Sequence, residues 1–396
     1  MSERKKIAVI LSRFPYPLDK GDKLRAFHQI AYIARFHDVY LYALHEEAIR
    51  EDAMKALQPF CKDIRLYRLN KIEIGLNIVR SFIMQLPVQV GYFYSSRHHK
   101  KMTQDIINVK PDTVYCQLSR TAFYGKDLPF RKVIDFQDAF STNYERMQRT
   151  FTGVKKYFYK REGQRMKVFE KKMVTWFDEA TIISAFDRAE MDISPNRMIV
   201  VSNGVDTGYF HSLDATKTCD ILFSGNLSYR PNRQAVIYLL EKIAPKLILL
   251  KPAIKIKIVG SSGQEFKHFE SNNIQISGWV DDIRECYDSA KIFVAPLFTG
   301  AGLQNKLLEA MSMGVPCVTT SVTNASLMAT ENEHVLLANN DDEFVSTIIE
   351  LLTDTNLQHT LSLSGRAFVL ENFSWENANQ KLVALLLNRK DKKPYS

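Results

Sequence analysis

Short apolar runs alternate with helix-period segments along the whole chain. Ile7–Leu11 is followed by a stretch that sets Leu24, Phe27, Ala31 and Ala34 on one helical face. Strand-like runs recur at Val39–Leu44, Ile64–Leu69, Thr113–Cys116, Lys132–Phe136, Ala180–Ser184 and Met198–Val201. The pattern restarts at Asp220–Ser224. Pro231 stands where a helix begins, and that helix runs towards Leu250. Further runs lie at Ile254–Val259, Ile274–Ser277, Lys291–Ala295, Val315–Thr319 and Val335–Ala338. The turn-rich stretch Val205–Cys219 separates the halves and sets a domain junction near residue 215. The pattern predicts an α/β protein of two tandem parallel-sheet domains, residues 1–215 and 216–373. Ligand loops are expected at the carboxyl ends of the strands, and a small-molecule site in the cleft between domains.

Length agrees with two cores, since 396 residues is long for one. The formal charge of +9 favours an acidic partner such as a phosphate ester, a sugar nucleotide or an anionic membrane surface. No finger, recognition-helix or RNA-binding pattern is present, so nucleic acid is not an expected partner. Cys61, Cys116, Cys219, Cys286 and Cys317 are scattered and odd in number, which suits a reducing cytoplasm. The run Ile7–Leu11 is too short for a signal-peptide core. The longest apolar stretch, Ile74–Tyr94, holds Asn77, Arg80, Gln85, Pro87 and Gln89 and does not read as a membrane span. The basic, aromatic segment Lys155–Lys172 has two readings. It presses on an anionic membrane or a lipid-diphosphate acceptor, or it is a solvated helix with Tyr157, Phe158, Val168 and Phe169 packed inward.

The richest chemistry lies between Ala295 and Val318, in the sequence APLFTGAGLQNKLLEAMSMGVPCV. It reads as strand end, glycine loop, helix, Gly stop and strand. Gly300 and Gly302 let a backbone approach a ligand closely. The helix that follows offers unpaired N–H groups and a positive dipole end, which suit a diphosphate. Lys306 and Glu309 share a helix face, with Leu307, Leu308 and Met311 on the buried side. Lys306 is placed to neutralise phosphate charge and Glu309 to accept from two ribose hydroxyls. The bland alternative is ordinary turn glycines and a surface ion pair.

This segment resembles the donor-site motif of family 4 glycosyltransferases of the GT-B fold. The run VSNGVD at Val201–Asp206, followed by Phe210, is similar to the family's segment before its second domain. FSGNLSYRPN at Phe223–Asn232 resembles its first donor-domain strand and loop. GWVDD at Gly278–Asp282 resembles the loop that meets the nucleobase. SRFPYP at Ser12–Pro17 and KGDKLR at Lys20–Arg25 are like a branch involved in bacterial surface polysaccharides. The resemblance implies two Rossmann-like domains facing a cleft, with a terminal helix at 374–396 crossing back onto the first. It implies transfer from a nucleotide sugar to a glycan or lipid-linked acceptor, with retention. Donor contacts are then expected from Gly225, Asn226, Gly278, Val280, Gly300, Ala301, Gly302, Leu303 and Glu309. Lys306, Arg230 and Asp138 are the expected catalytic residues, and Gly21, Lys23 and Arg25 the expected acceptor-side ones.

Two positions depart from the family pattern. Many members carry a glutamate where Ala301 stands, and an Arg where Asn226 stands. The first change removes a carboxylate that contacts the transferred sugar; Arg230 or Lys306 is left to supply the positive charge. No D-x-D pair is present to hold a metal on the diphosphate, so catalysis is expected to need neither metal nor cofactor. Two other readings share the donor domain: a sugar-nucleotide epimerase and a non-catalytic sugar-nucleotide-binding protein. The expected location is cytoplasmic, with peripheral contact at the inner face of the membrane.

Overall fold

The computed structural model describes residues 3–299 and 302–387. Seven strands build the first sheet: β1 (Lys6–Leu11), β2 (Asp38–His45), β3 (Cys61–Arg68), β4 (Thr113–Gln117), β5 (Arg131–Asp135), β6 (Glu179–Ile182) and β7 (Ile199–Val200). Their order is β3-β2-β1-β4-β5-β6-β7, with every pairing parallel. Six strands build the second: β8 (Cys219–Ser224), β9 (Ile256–Val259), β10 (Ile274–Ser277), β11 (Ala290–Ala295), β12 (Cys317–Thr319) and β13 (Leu336–Leu337). Their order is β10-β9-β8-β11-β12-β13, again wholly parallel. Parallel neighbours need crossover connections, so helices cover both faces, and the central strands β4 and β8 are buried along their whole length. In β1, Ala8 and Ile10 join a core with Tyr42 and Ile134, whereas Ile7 and Val9 join one with Ile30 and Ile33. Alternate side chains thus feed opposite layers.

Each sheet has one place where the strand order reverses, between β1 and β4 and between β8 and β11. Crossovers leave these strands in opposite directions, which opens a crevice at their carboxyl ends. Two candidate sites are therefore set by topology before any side chain is considered.

The chain divides into one unit of Met1–Ser202 with Ala378–Ser396 and another of Asn203–Asn377. The division falls after Ser202, not near 215. Val205 N donates to Phe373 O at 2.7 Å, and Val205 also bridges Ser374. Ser312 Oγ donates to Phe210 O at 2.6 Å. These bonds tie the irregular stretch to the second core, which a turn-rich composition does not reveal. The last helix, Trp375–Leu386, joins the first unit from Ala378 onward. Leu382 and Leu386 are buried there, and Thr113 Oγ1 donates to Leu386 O at 2.8 Å.

The helix expected from Pro231 to Leu250 is present in three pieces: Arg230–Tyr238, a π turn at Leu239–Ile243, and Ala244–Leu250. Pro245 explains the interruption. It has no N–H for the carbonyl of Glu241, and its ring crowds that oxygen, so the turn widens.

Candidate functional site

At the reversal point of the second sheet, β8 ends in Ser224 and runs into Gly225. Gly225 has φ +151°, and a Cβ there would stand 2.9 Å from Asn232 Nδ2 and 3.1 Å from Lys306 Cε. Only glycine leaves room for the lysine stem to cross the strand end. The helix Asn305–Ser312 supplies that lysine from the far side of the crevice. Its hydrophobic face, Leu307, Leu308 and Met311, is buried, which turns Lys306 and Glu309 toward the strand ends.

Lys306 Nζ donates to Asn232 Oδ1 at 2.7 Å and to Gln304 Oε1 at 3.0 Å. Asn232 is in turn held by its own Nδ2, which donates to Asn226 O at 2.9 Å. Burial pushes the Lys306 ammonium down to about 8, with Glu309 acting in the opposite sense. Glu309 Oε2 accepts from Tyr287 OH at 2.8 Å, and Tyr287 OH also lies 2.7 Å from Ser224 Oγ. Burial raises the Glu309 carboxyl, while the Tyr287 hydrogen bond and the Lys306 charge offset part of the rise. Glu309 keeps Oε1 uncommitted among the described residues. Gln304 caps the helix start without a side-chain bond, and its carbonyl accepts from Leu307 N at 3.0 Å. The crevice therefore presents a cation, a helix N-terminus and a carboxylate oriented through a buried tyrosine.

The expected donor residues are not all in this cluster. Gly225, Lys306 and Glu309 converge on it, and Asn226 supports it through a backbone oxygen. Arg230 opens the helix Arg230–Tyr238 nearby. Gly302 and Leu303 lead into the Lys306 helix, while Gly300 and Ala301 lie outside the described residues. Gly278 and Val280 follow β10, two strands away from β8. Open space surrounds Gly278, and the neighbouring Trp279 is exposed. Ser224, Asn232, Gln304 and Tyr287 were not anticipated. Asn232 had a local signal in its place after Pro231 at the helix start. Tyr287 had none, because its partner is 22 residues away.

The first unit treats its expected residues differently. Arg25 is not a ligand group: it is 1% exposed and fully engaged in the core. It donates to Asp135 Oδ2 at 2.7 Å and Oδ1 at 3.2 Å, and to the carbonyls of Val201 and Ser202. Tyr115 and Thr181 donate to the same carboxylate. Gly21 opens the helix Gly21–Ala34, with Lys20 at the cap position. Asp22 pairs with Arg13 at 3.0 Å and Arg120 at 3.8 Å. Lys23 pairs with Asp19 at 2.9 Å and lines a cavity of about 600 Å³ with Arg13, Tyr16, Glu46 and Tyr92. Asp138 follows β5, and its carboxyl is raised by burial, with the Arg25 charge opposing.

The family model described as glycosyl transferases group 1 matches residues 218–354. That span contains both reversal-point strands and the Lys306 helix. An uncharacterized 44.6 kDa protein in the cps region of Klebsiella pneumoniae is 25% identical over 387 residues, 93% of this chain and 96% of its own. O-antigen chain mannosyltransferase B of Escherichia coli is 33% identical over 113 residues, 28% of this chain and 29% of its own. Among solved structures, a glycosyltransferase from Rickettsia africae aligns with TM-score 0.69 at 15% identity, covering 98% of this chain and 100% of that one. Anabaena HepE in complex with UDP and glucose aligns with TM-score 0.69 at 14% identity, covering 97% of this chain and 100% of that one. The two parallel-sheet units are those of the GT-B fold.

Proposed function

We propose that the protein transfers a hexose from a nucleotide-sugar donor to a glycan or lipid-linked acceptor in polysaccharide biosynthesis, as a retaining enzyme of family 4 that needs no metal. The observation that carries this reading is the Lys306–Asn232–Gln304 cluster at the second sheet's reversal point, with Glu309 clamped by Tyr287 beside it. Glycosyl transfer passes through an oxocarbenium-like state while negative charge grows on the departing diphosphate. A fixed ammonium and helix amides aimed at that diphosphate stabilise the growing charge with little reorganisation. Arg230 adds positive charge from the neighbouring helix start. Glu309 Oε1 accepts from the ribose hydroxyls, and Tyr287 fixes the carboxylate for that task. Asp138, carried by the first unit, orients an acceptor hydroxyl, and the cavity lined by Lys23 takes the acceptor's polar body.

The donor class is supported by two relatives' names, one GDP-mannose-dependent mannosyltransferase and one galactosyltransferase acting from UDP-Gal. Five free cysteines suit a reducing cytoplasm. A panel of UDP-, GDP-, ADP- and dTDP-sugars, each with glycan and polyprenyl-diphosphate acceptors, tests the proposal. At least one donor is expected to yield a glycosylated acceptor with the donor's anomeric configuration. A nucleotide sugar isomerised without acceptor would instead mark an epimerase. Adding EDTA is expected to leave the initial rate unchanged within about twofold, because Lys306 and the helix amides take the place of an ion. A rate abolished by EDTA and restored by magnesium contradicts the metal-free reading.

A further inference from the structure

The helix Lys71–Ile83 is apolar on two faces although it lies at the surface. Its inner face is accounted for. Ile74 and Ser81 are buried, and Asn77 Nδ2 donates to Tyr94 O at 2.6 Å. A Cβ on Gly91 would stand 1.7 Å from Ser81 Oγ, so the helix Val88–Phe93 presses directly on this side. The outer face is not accounted for. Ile72, Leu76, Val79 and Ile83 are spaced four, three and four residues apart and form one stripe. They are 75%, 67%, 59% and 78% exposed, and Phe82 and Met84 prolong the stripe at its end. Side chains of this size, aligned and uncovered, mark an interaction surface.

The start of the helix Gly153–Trp176 continues the patch. Arg165 lies 5.1 Å from the Phe82 ring centre, and Arg161 reaches Gln85 Oε1 at 3.5 Å. Val154 and Tyr157 project from this helix into solvent, and Phe158 is partly exposed beside them. Of the four residues one sequence reading packed inward, Phe169 alone is buried. Lys71 and Arg80 flank the stripe on the first helix, and Lys155, Lys156, Lys160 and Arg161 flank it on the second. None of these six cations has a carboxylate partner among the described residues. Between Lys71 and Gln85 the acid is Glu73, and between Gly153 and Arg161 there is none.

We propose that this face docks on an anionic lipid bilayer, with the stripe set between headgroups and the six cations on lipid phosphates. A second copy of the chain fits less well, because a two-fold contact would bring the same cationic rims together. Among the described residues no helix is long and apolar enough to cross a membrane, so the contact is interfacial. The inference stands on the surface alone and does not depend on the proposed chemistry.

Co-sedimentation with vesicles tests it. The full chain is expected to bind phosphatidylcholine vesicles containing about a third phosphatidylglycerol at least roughly tenfold more strongly than pure phosphatidylcholine vesicles, and to be released by salt. The double variant Leu76→Asp/Ile83→Asp is expected to lose binding roughly tenfold or more, with an unchanged melting curve because both side chains are exposed. The triple variant Lys155→Glu/Lys156→Glu/Lys160→Glu is expected to lose the preference for anionic vesicles. Equal binding of wild type to both vesicle types, or no loss in the aspartate variant, overturns the proposal. A wild-type dimer that the aspartate variant converts to monomer, without vesicle binding, assigns the patch to a second copy and overturns it as well.

Discussion

Replacing Lys306 with alanine is expected to lower kcat about a hundred- to a thousandfold, the range found when one preorganised charge-stabilising donor is removed. The effect falls on kcat because charge on the leaving diphosphate is greatest in the transition state. The fold is expected to survive, since the lysine's partners are neutral amides that water can satisfy. The same residue sets a pH dependence. Burial brings its ammonium down to about 8 in the free enzyme. The charged form predominates below that pH and is lost above it, so kcat/KM falls as pH rises through about 8. In Lys306→Arg the cation persists, and this alkaline limb flattens even where the bulkier fork reduces the rate. A wild-type profile flat through pH 8, or an alanine variant with ordinary turnover, contradicts the role.

Arg25→Ala is expected to destabilise the protein by about 3–5 kcal/mol, the cost of leaving a buried charge without its partner. Asp135 is completely buried, and among the described residues the guanidinium is the one cation bonded to it. The same fork holds the carbonyls of Val201 and Ser202. Loss of Arg25 therefore strips charge compensation from β5 and loosens the end of the first unit. Lysine is expected to restore only part of the loss, because it cannot span the carboxylate and both carbonyls at once. Lys23→Ala, whose pair with Asp19 is partly exposed, is expected to stay within about 0.5 kcal/mol of wild type. Urea unfolding of the three variants checks this ordering. Similar unfolding midpoints for Arg25→Ala and wild type would show that the buried pair does not hold the first unit together.

These residues also show what the sequence made legible. Periodicity found the strands, because parallel strands buried on both faces are written as apolar runs that need no long-range information. It also placed the second-unit helix that carries Lys306. The resemblance carried by Lys20–Arg25 put Arg25 among the acceptor-side residues, and a basic residue in a loop-to-helix segment looks solvated. Its partner Asp135 lies 110 residues away, and no local pattern links them. Tyr287 and its contact with Glu309 were hidden for the same reason. The outward stripe on Lys71–Ile83 was read as an apolar stretch too interrupted to span a membrane. Its spacing shows a stripe, but only the packing of Gly91 on Ser81 shows which face is covered. The junction after Ser202 likewise depends on bonds from Val205 and Phe210 to distant residues.

The central claim is that the second unit binds a nucleoside diphosphate at Lys306 and Glu309. Titration calorimetry of UDP, GDP, ADP and dTDP into the wild-type chain and into Glu309→Ala tests it most directly. At least one nucleotide is expected to bind wild type, and to bind the variant about tenfold or more weakly, through loss of a charged acceptor for the ribose hydroxyls. Equal affinity in the two proteins, or no binding of any of the four to wild type, contradicts it.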